Sequence, residues 1–136
     1  MKIFALLTLL IAHLTFAETN CEKDFKVLLG SISENRKLQE KIISYPLKYT
    51  YIDTQSEDMP LLVKQLSEES IKGAESSVYP LKSTQQAYGL VQQILEQNKS
   101  SAKVSVFKPE TDYSLTYKFQ IKSGCWTLVE YINESL

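Results

Sequence analysis

The stretch YSLTYKFQI, residues 113–121, decides the fold of this chain. Apolar and aromatic side chains alternate strictly with polar ones, which is the period of a strand buried on one face. A turn at 122–124 leads into a second alternating run, from Cys125 to Ile132, so the two runs predict an antiparallel hairpin. We expect Trp126, Leu128, Glu130 and Ile132 on one face of the second strand, and Cys125, Thr127, Val129 and Tyr131 on the other.

Shorter strand patterns lie upstream of this hairpin. Residues 103–107 predict a strand that turns at 109–112 and completes a C-terminal meander. Residues 45–52 predict another strand, because Leu47, Tyr49 and Tyr51 alternate with polar neighbours and give it one aromatic face.

Helical patterns dominate the first part of the chain. Phe25, Leu28, Leu29 and Ile32 recur at the spacing of one apolar helical stripe, which Asn20 or Asp24 can cap. A second short helix is expected after a cap at Ser33, ending at Pro46. Helices first and strands last predict an α+β domain, with N-terminal helices packed on a curved antiparallel sheet.

The middle of the chain has weaker patterns. Pro60 fits the first turn of a helix that buries Leu61, Leu62 and Leu66, and residues 67–80 are expected to be irregular. Ser83 and Gln86 form a capping box. The box predicts a helix through about Gln97.

The N-terminus predicts export. Lys2 precedes the apolar run 3–16, and Thr15 and Ala17 fit a cleavage site after residue 17. The run is too short for a comfortable membrane span. A retained anchor is one alternative and a lipid-modified Cys21 another, although no lipoprotein box precedes that cysteine. We expect a signal peptide at 1–17, one domain at 18–136, and a periplasmic or secreted location with no membrane span after cleavage.

Two cysteines remain after cleavage. Cys21 and Cys125 form an even pair in an exported chain, so a disulfide between the ends of the domain is the favoured prediction. Free thiols and an intermolecular bridge are the alternatives. The spacing does not match a redox motif, which favours a structural role.

Composition excludes several functions. The single histidine, His13, lies in the predicted signal peptide, so the mature domain has none for triads, general bases or zinc and copper sites. The sequence has 15 basic and 16 acidic residues with no basic stripe, which argues against nucleic-acid binding. We predict no catalytic residue, no metal site and no cofactor, and keep a carboxylate-based hydrolase as the least favoured alternative.

Two segments carry a family resemblance. Asp24-Phe25 through Tyr45-Pro46-Leu47, and Phe119 to Leu136 with its Gly124-Cys125-Trp126-Thr127-Leu128 ending, resemble exported bacterial members of the nuclear transport factor 2-like superfamily. The resemblance implies a curved sheet wrapped around helices as a cone with a pocket. Enzymes of this superfamily usually use histidine and aspartate. Because the predicted mature domain contains no histidine, we transfer no catalytic residue to this chain.

Tyrosines are the candidate binding residues. Tyr49 and Tyr51 share one predicted strand face, and Tyr113 and Tyr117 share another. Tyrosine suits both core edges and binding surfaces, so these four side chains are expected either in the core, in a pocket, or facing a partner. The favoured function is a non-catalytic exported domain that binds a small ligand or peptide. The alternative is a periplasmic immunity protein or an inhibitor that blocks a toxin or a cell-wall-degrading enzyme.

Overall fold

The structure is a computed structural model that describes residues 20–136; the predicted signal peptide lies outside these residues. Four helices are described: α1 (Phe25–Ile32), α2 (Arg36–Ile42), α3 (Glu68–Gly73) and α4 (Lys82–Tyr88). The six strands are β1 (Ile43–Ile52), β2 (Leu61–Leu66), β3 (Val91–Gln97), β4 (Ser101–Phe107), β5 (Ser114–Lys122) and β6 (Cys125–Asn133).

The six strands form one sheet in the order β2-β1-β6-β5-β4-β3. The α+β class and the C-terminal meander β4-β5-β6 are therefore confirmed. The sheet is mixed rather than wholly antiparallel, because β1 pairs with β6 in the parallel direction. No tight turn links these two strands, so nothing in the local sequence fixes their relative direction.

Helix α1 covers one face of the sheet, which we call the inner face. Its predicted stripe is fully buried: Phe25, Leu28, Leu29 and Ile32. Asp24 caps the helix by accepting hydrogen bonds from the backbone N–H groups of Lys26 and Val27. The Phe25 ring contacts Phe119 of β5 and Trp126 of β6, at centroid distances of 5.1 and 4.9 Å. The helix and the hairpin therefore share one core.

Helix α2 is capped by Asn35 rather than by the predicted Ser33, whose hydroxyl donates to Leu29 O instead. The helix ends at Ile42, before Pro46, which lies inside β1 after a cis peptide bond. Ile43 accordingly begins the strand, where its side chain is buried.

One buried side chain of α2 joins three parts of the helical layer. The Gln39 amide nitrogen donates to Ile32 O and Tyr79 O, at 2.7 and 2.9 Å. Its oxygen accepts from Tyr79 N at 3.1 Å. All three hydrogen bonds lie in the interior, so Gln39 fixes the end of α1 and the segment before α4 against α2.

The prediction of a helix after Pro60 is wrong, because residues 61–66 form strand β2. The hairpin with β1 closes through a hydrogen bond from Asp53 N to Pro60 O, 2.9 Å long. The expected buried residues Leu61 and Leu62 are exposed, so no helical stripe is buried here. Strand pairing with β1 outweighs the local helical pattern.

Two further predictions of the middle region need correction. Residues 67–80 are not wholly irregular, since Ser67 caps the short helix α3, which buries Ile71. The predicted helix 83–97 ends at Tyr88, and Ser83 does not cap it. Gly89 adopts a left-handed conformation, φ 66°, that ends the helix, and residues 91–97 become strand β3.

Strand β6 contains a bulge at Val129. Lys118 pairs with Glu130, but Phe119 pairs with Leu128, so one residue of β6 is left over. The predicted faces are therefore correct only up to Leu128. Beyond the bulge Tyr131 lies on the inner face with Trp126 and Leu128, whereas Glu130 and Ile132 move to the outer face. There Glu130 forms ion pairs with Lys48 and Lys118, at 3.5 and 3.4 Å.

The N-terminal segment is fastened to the β5–β6 hairpin. Cys21 and Cys125 form the predicted disulfide across 104 residues. The Trp126 indole N–H donates to Lys23 O at 3.0 Å, and the Lys23 ammonium donates to Gly124 O. Among the described residues no helix has the length and apolar character needed to cross a membrane.

Candidate functional site

Five tyrosines form a continuous row of contacting rings along the inner face, which we call the tyrosine ladder: Tyr51, Tyr49, Tyr131, Tyr117 and Tyr79. Successive ring centroids lie 5.2, 4.8, 5.1 and 4.7 Å apart. The ladder runs from the half-buried rings of β1 into the core, where Tyr79 and Tyr117 are completely buried. The aromatic face predicted for β1 is thus one end of a larger cluster.

The buried hydroxyl groups of the ladder have hydrogen-bond partners. Tyr117 donates to Val78 O at 2.6 Å, and Tyr79 donates to the side-chain oxygen of Gln92. Burial raises the pKa of Tyr79, Tyr117 and Tyr131 well above the usual value for tyrosine. These phenols therefore stay neutral and act as structural groups at physiological pH.

The four predicted tyrosines have different positions in the structure. Tyr117 is a core residue. Tyr49 and Tyr51 are half-buried and reach Tyr117 through Tyr131. Tyr113 is 38% exposed and does not stack in the ladder; it lines a pocket instead.

That pocket has a volume of about 330 Å³ and lies where α4, β3 and the β4–β5 turn meet. Its lining residues are Thr84, Tyr88, Leu90, Lys108 and Tyr113. We call it the Tyr88–Tyr113 pocket. Its size falls at the lower end of the range for small-molecule sites.

Ordered turns hold the pocket walls. The left-handed Gly89 lets the chain reverse after Tyr88, and Leu90 N donates to Gln85 O at 2.8 Å. On the opposite wall Lys108 N donates to Tyr113 O at 3.1 Å, which closes the turn between β4 and β5. The two tyrosines are thus presented by backbone that is itself hydrogen-bonded.

The chemistry of the pocket suits binding. Two aromatic residues and Leu90 supply a largely apolar wall, and Lys108 and Thr84 are the polar residues of the lining. Partial burial raises the pKa of the Tyr113 phenol. No carboxylate, histidine or cysteine lines the pocket, and residues 20–136 contain no group of three or more such side chains that could hold a metal ion.

Two other depressions lie near Trp126, at the disulfide end of the sheet. The one of about 640 Å³ is shallow and lined largely by polar side chains, including Lys23, Asn98 and Lys99. The one of about 440 Å³ follows the disulfide and the first described residues. Neither presents a pair of aromatic walls.

Sequence patterns missed three tyrosines of these clusters. Tyr88 was expected inside a long helix, Tyr79 in an irregular segment, and Tyr131 on the opposite face of its strand. The dipeptide Tyr88-Gly89 was the available signal for Tyr88, because glycine commonly ends a helix. Nothing local marks Tyr79 or Tyr131, since their positions depend on Gln39 and on the bulge.

Comparison with one solved structure supports the fold. An NTF2-like protein from Bacteroides fragilis superposes with a TM-score of 0.61 and 18% identity, over 88% of this chain and 50% of that protein. The chain thus spans half the length of that structure. An NTF2-like protein of unknown function from Shewanella baltica matches with a TM-score of 0.43 and 13% identity, over 79% and 83% of the two chains.

The comparison with family models and curated proteins gives no match. The chain has the nuclear transport factor 2-like fold, which its resemblance predicted. A fold shared at this level of identity does not assign a function.

Proposed function

We propose that this chain is a non-catalytic exported domain that binds a small ligand in the Tyr88–Tyr113 pocket. The observation that carries the proposal is the placement of two partly exposed tyrosines around one cavity with Lys108 at its wall. Tyr88 is 65% exposed and Tyr113 38% exposed, so both rings remain accessible to a ligand. Exposed aromatic rings offer large contact area and lose little side-chain entropy on binding.

The tyrosines with shifted pKa values support binding rather than catalysis. A general acid or base works best with a pKa near the working pH. Burial moves the pKa of the shifted tyrosines, Tyr113 included, upward and away from neutrality. Lys108 and Thr84 then serve to orient a ligand.

The pocket favours an aromatic or apolar ligand that carries an anionic group. A flat ring can stack on Tyr88 or Tyr113, and a carboxylate can accept from the Lys108 ammonium. The cavity volume limits the ligand to a small molecule or one side chain of a peptide.

Binding at the pocket is tested by NMR titration of the mature domain with phenylacetate and indole-3-acetate, and with the corresponding neutral amides. We expect the largest shifts at Tyr88, Leu90 and Tyr113, and weaker binding of the amides. Tyr113→Ala should weaken binding about tenfold or more, while Lys108→Gln should abolish the preference for the acid. Tyr51→Ala, which changes the half-buried end of the ladder on β1, is the matched control. Shifts that map elsewhere, or equal binding by Tyr113→Ala, would refute the pocket as the site.

Export has a separate test. The full chain is expressed in a bacterial host, and the protein recovered from the periplasm or medium is sequenced from its N-terminus. We expect mature protein that begins at Glu18, whereas a cytoplasmic product that retains residues 1–17 would contradict export.

The second candidate is the periplasmic immunity protein or inhibitor. A specific feature favours a protein partner, namely the exposed apolar residues of strand β2 at the edge of the sheet. A domain that covers a toxin or cell-wall enzyme needs such a surface and no chemistry of its own.

A further inference from the structure

Strand β2 lies at one edge of the sheet, and three of its four apolar side chains are exposed to solvent. Leu61 is 64% exposed, Val63 58% and Leu62 37%, and the preceding Met59 is also exposed. On the outer face, Leu61 and Val63 lie beside Ile52 and Thr50 of β1. An exposed, apolar edge strand is costly unless a partner covers it.

The register shows which backbone groups of β2 are unpaired within the sheet. The hydrogen bond from Asp53 N to Pro60 O shows that residues 53 and 60 are a hydrogen-bonded pair. Hydrogen-bonded and non-hydrogen-bonded pairs alternate along an antiparallel ladder, so the pairs 51/62 and 49/64 are hydrogen-bonded as well. The N–H and C=O groups of Leu61, Val63 and Gln65 therefore point away from β1. They form a row of donors and acceptors that can bind another strand.

The opposite edge of the sheet is less suited to this role. In β3, Ile94 pairs with Val104 and Glu96 with Lys103, so Leu95 forms a bulge. A bulge interrupts the row of edge groups and is a common device against strand addition. Strand β2 pairs with β1 in continuous register and has no such interruption.

Charges at the two ends of β2 indicate the kind of strand that fits. Glu57 and Asp58 precede the strand and Glu68 and Glu69 follow it, and all four are exposed. Glu68 pairs with Lys72, whereas in the described part of the chain Glu57, Asp58 and Glu69 lie in no ion pair. Both ends of the edge are therefore acidic.

These charges argue against a second copy of this chain. Two β2 strands related by a two-fold axis at Val63 would bring residues 57–58 of one copy close to residues 68–69 of the other. Acid would then face acid at both ends of the interface. Like charges placed opposite each other destabilise strand pairing and dimers.

We propose that β2 binds an extended segment of a partner protein as an added strand, and that this segment has β-branched or apolar residues in its centre and lysine or arginine at both ends. The backbone of Leu61, Val63 and Gln65 supplies the hydrogen bonds of the new ladder. Leu61 and Val63 contact apolar side chains of the segment, and the flanking acids attract its basic ends. Strand addition of this kind is a general mode of peptide recognition.

The proposal is tested with the disulfide-bonded mature domain and two synthetic peptides, KKTVTVTKK and its acidic counterpart EETVTVTEE. Binding is measured by fluorescence anisotropy at low and high salt, and amide hydrogen exchange is followed by NMR. We expect the basic peptide to bind at least tenfold more tightly, to weaken with salt, and to slow exchange at Leu61, Val63 and Gln65.

Two variants complete the test. Val63→Pro removes an outward N–H without removing a hydrogen bond to β1, and it should reduce peptide affinity about tenfold. Val63→Thr keeps that N–H and loses only an apolar contact, so it should lose clearly less affinity than Val63→Pro. Equal binding of the two peptides, unchanged exchange at the three amides, or full affinity in Val63→Pro would overturn the proposal. Protection of these amides that grows with protein concentration in the absence of peptide would instead establish self-association and also overturn it. Ligand binding at the Tyr88–Tyr113 pocket should be the same in both variants.

Discussion

The rings of Tyr117 and Tyr131 lie parallel, with 5.1 Å between their centroids and 2° between their planes. They face each other across β5 and β6 because Val129 bulges out and turns Tyr131 inward. This pair joins the half-buried end of the tyrosine ladder to its buried end. A packing relationship on the inner face thus depends on one extra residue in the strand.

Loss of the Tyr117 hydroxyl should destabilise the domain. Tyr117→Phe removes the part-buried hydrogen bond to Val78 O, and a typical intramolecular hydrogen bond contributes about 0.5–1.5 kcal/mol to stability. Tyr51→Phe is the matched control, with an expected change near zero. Urea unfolding of both variants measures the difference, and equal stability of the two would contradict a structural role for the Tyr117 hydroxyl.

Stability should fall steeply at alkaline pH. The folded-state pKa values of Tyr79, Tyr117 and Tyr131 are raised by burial above the value of about 10 for unfolded tyrosine. Below about pH 10 both states hold the phenolic protons and this stabilisation is fully present. Above about pH 10 only the unfolded state releases these phenolic protons. The free energy of unfolding therefore declines as the pH rises toward the folded-state pKa values.

Each of these tyrosines adds up to about 1.4 kcal/mol per pH unit to the slope of the free energy of unfolding against pH. Denaturant unfolding between about pH 8 and pH 11 measures the slope, and Tyr117→Phe should make it shallower. A free energy of unfolding that stays constant across this interval would be inconsistent with neutral, buried phenols.

Two glycines should respond to alanine in opposite directions. Gly89 has φ 66°, a region that alanine enters at a cost of about 1–2 kcal/mol, although no atom lies within 4 Å of an added Cβ. Gly30 lies in α1 with equally open surroundings, so Gly30→Ala should stabilise the domain by about 0.5–1 kcal/mol. Thermal unfolding compares the two variants. Destabilisation by Gly30→Ala, or unchanged stability in Gly89→Ala, would contradict backbone conformation as the deciding factor.

Removal of the disulfide should lower stability without changing the fold. The bond closes a loop of about 100 residues, and the chain-entropy model gives an upper limit of about 4–5 kcal/mol for it. The double variant Cys21→Ser, Cys125→Ser should therefore unfold at lower urea but keep its circular dichroism spectrum. Intact mass after alkylation without reductant should reveal no labelled cysteine. Two labels would disprove the bond.

Sequence periodicity predicted the parts of the fold whose packing is local. The stripe of α1, the strands of the C-terminal meander and the hairpin after Lys122 follow from side-chain alternation, and all are present. The disulfide was predicted because the domain has two cysteines and the chain is expected to be exported, and this bond is present. Apart from the part of β6 beyond Leu128, the chemical pattern and the final environment of these residues agree.

The other strands and the candidate site depend on contacts between segments that are distant in the sequence. Residues 61–66 have a helical pattern but pair with β1, and residues 91–97 have one but pair with β4. Tyr131 lies on the inner face only because of the bulge, which alternation in the sequence does not reveal. The Tyr88–Tyr113 pocket likewise needs α4 to end at Gly89, so only Tyr113 of its two aromatic walls was among the predicted residues.

Gln39 has a consequence for the way the domain opens. The side-chain amide of Gln39 forms hydrogen bonds with both the N–H and the C=O of Tyr79. The segment that carries Val78 and Tyr79 therefore cannot leave the sheet unless its attachment to α2 also breaks. The Tyr117 hydroxyl is anchored to the same segment. The Tyr79 amide should therefore exchange with solvent deuterium only through global unfolding, as slowly as the central strands, although it lies in a connecting segment.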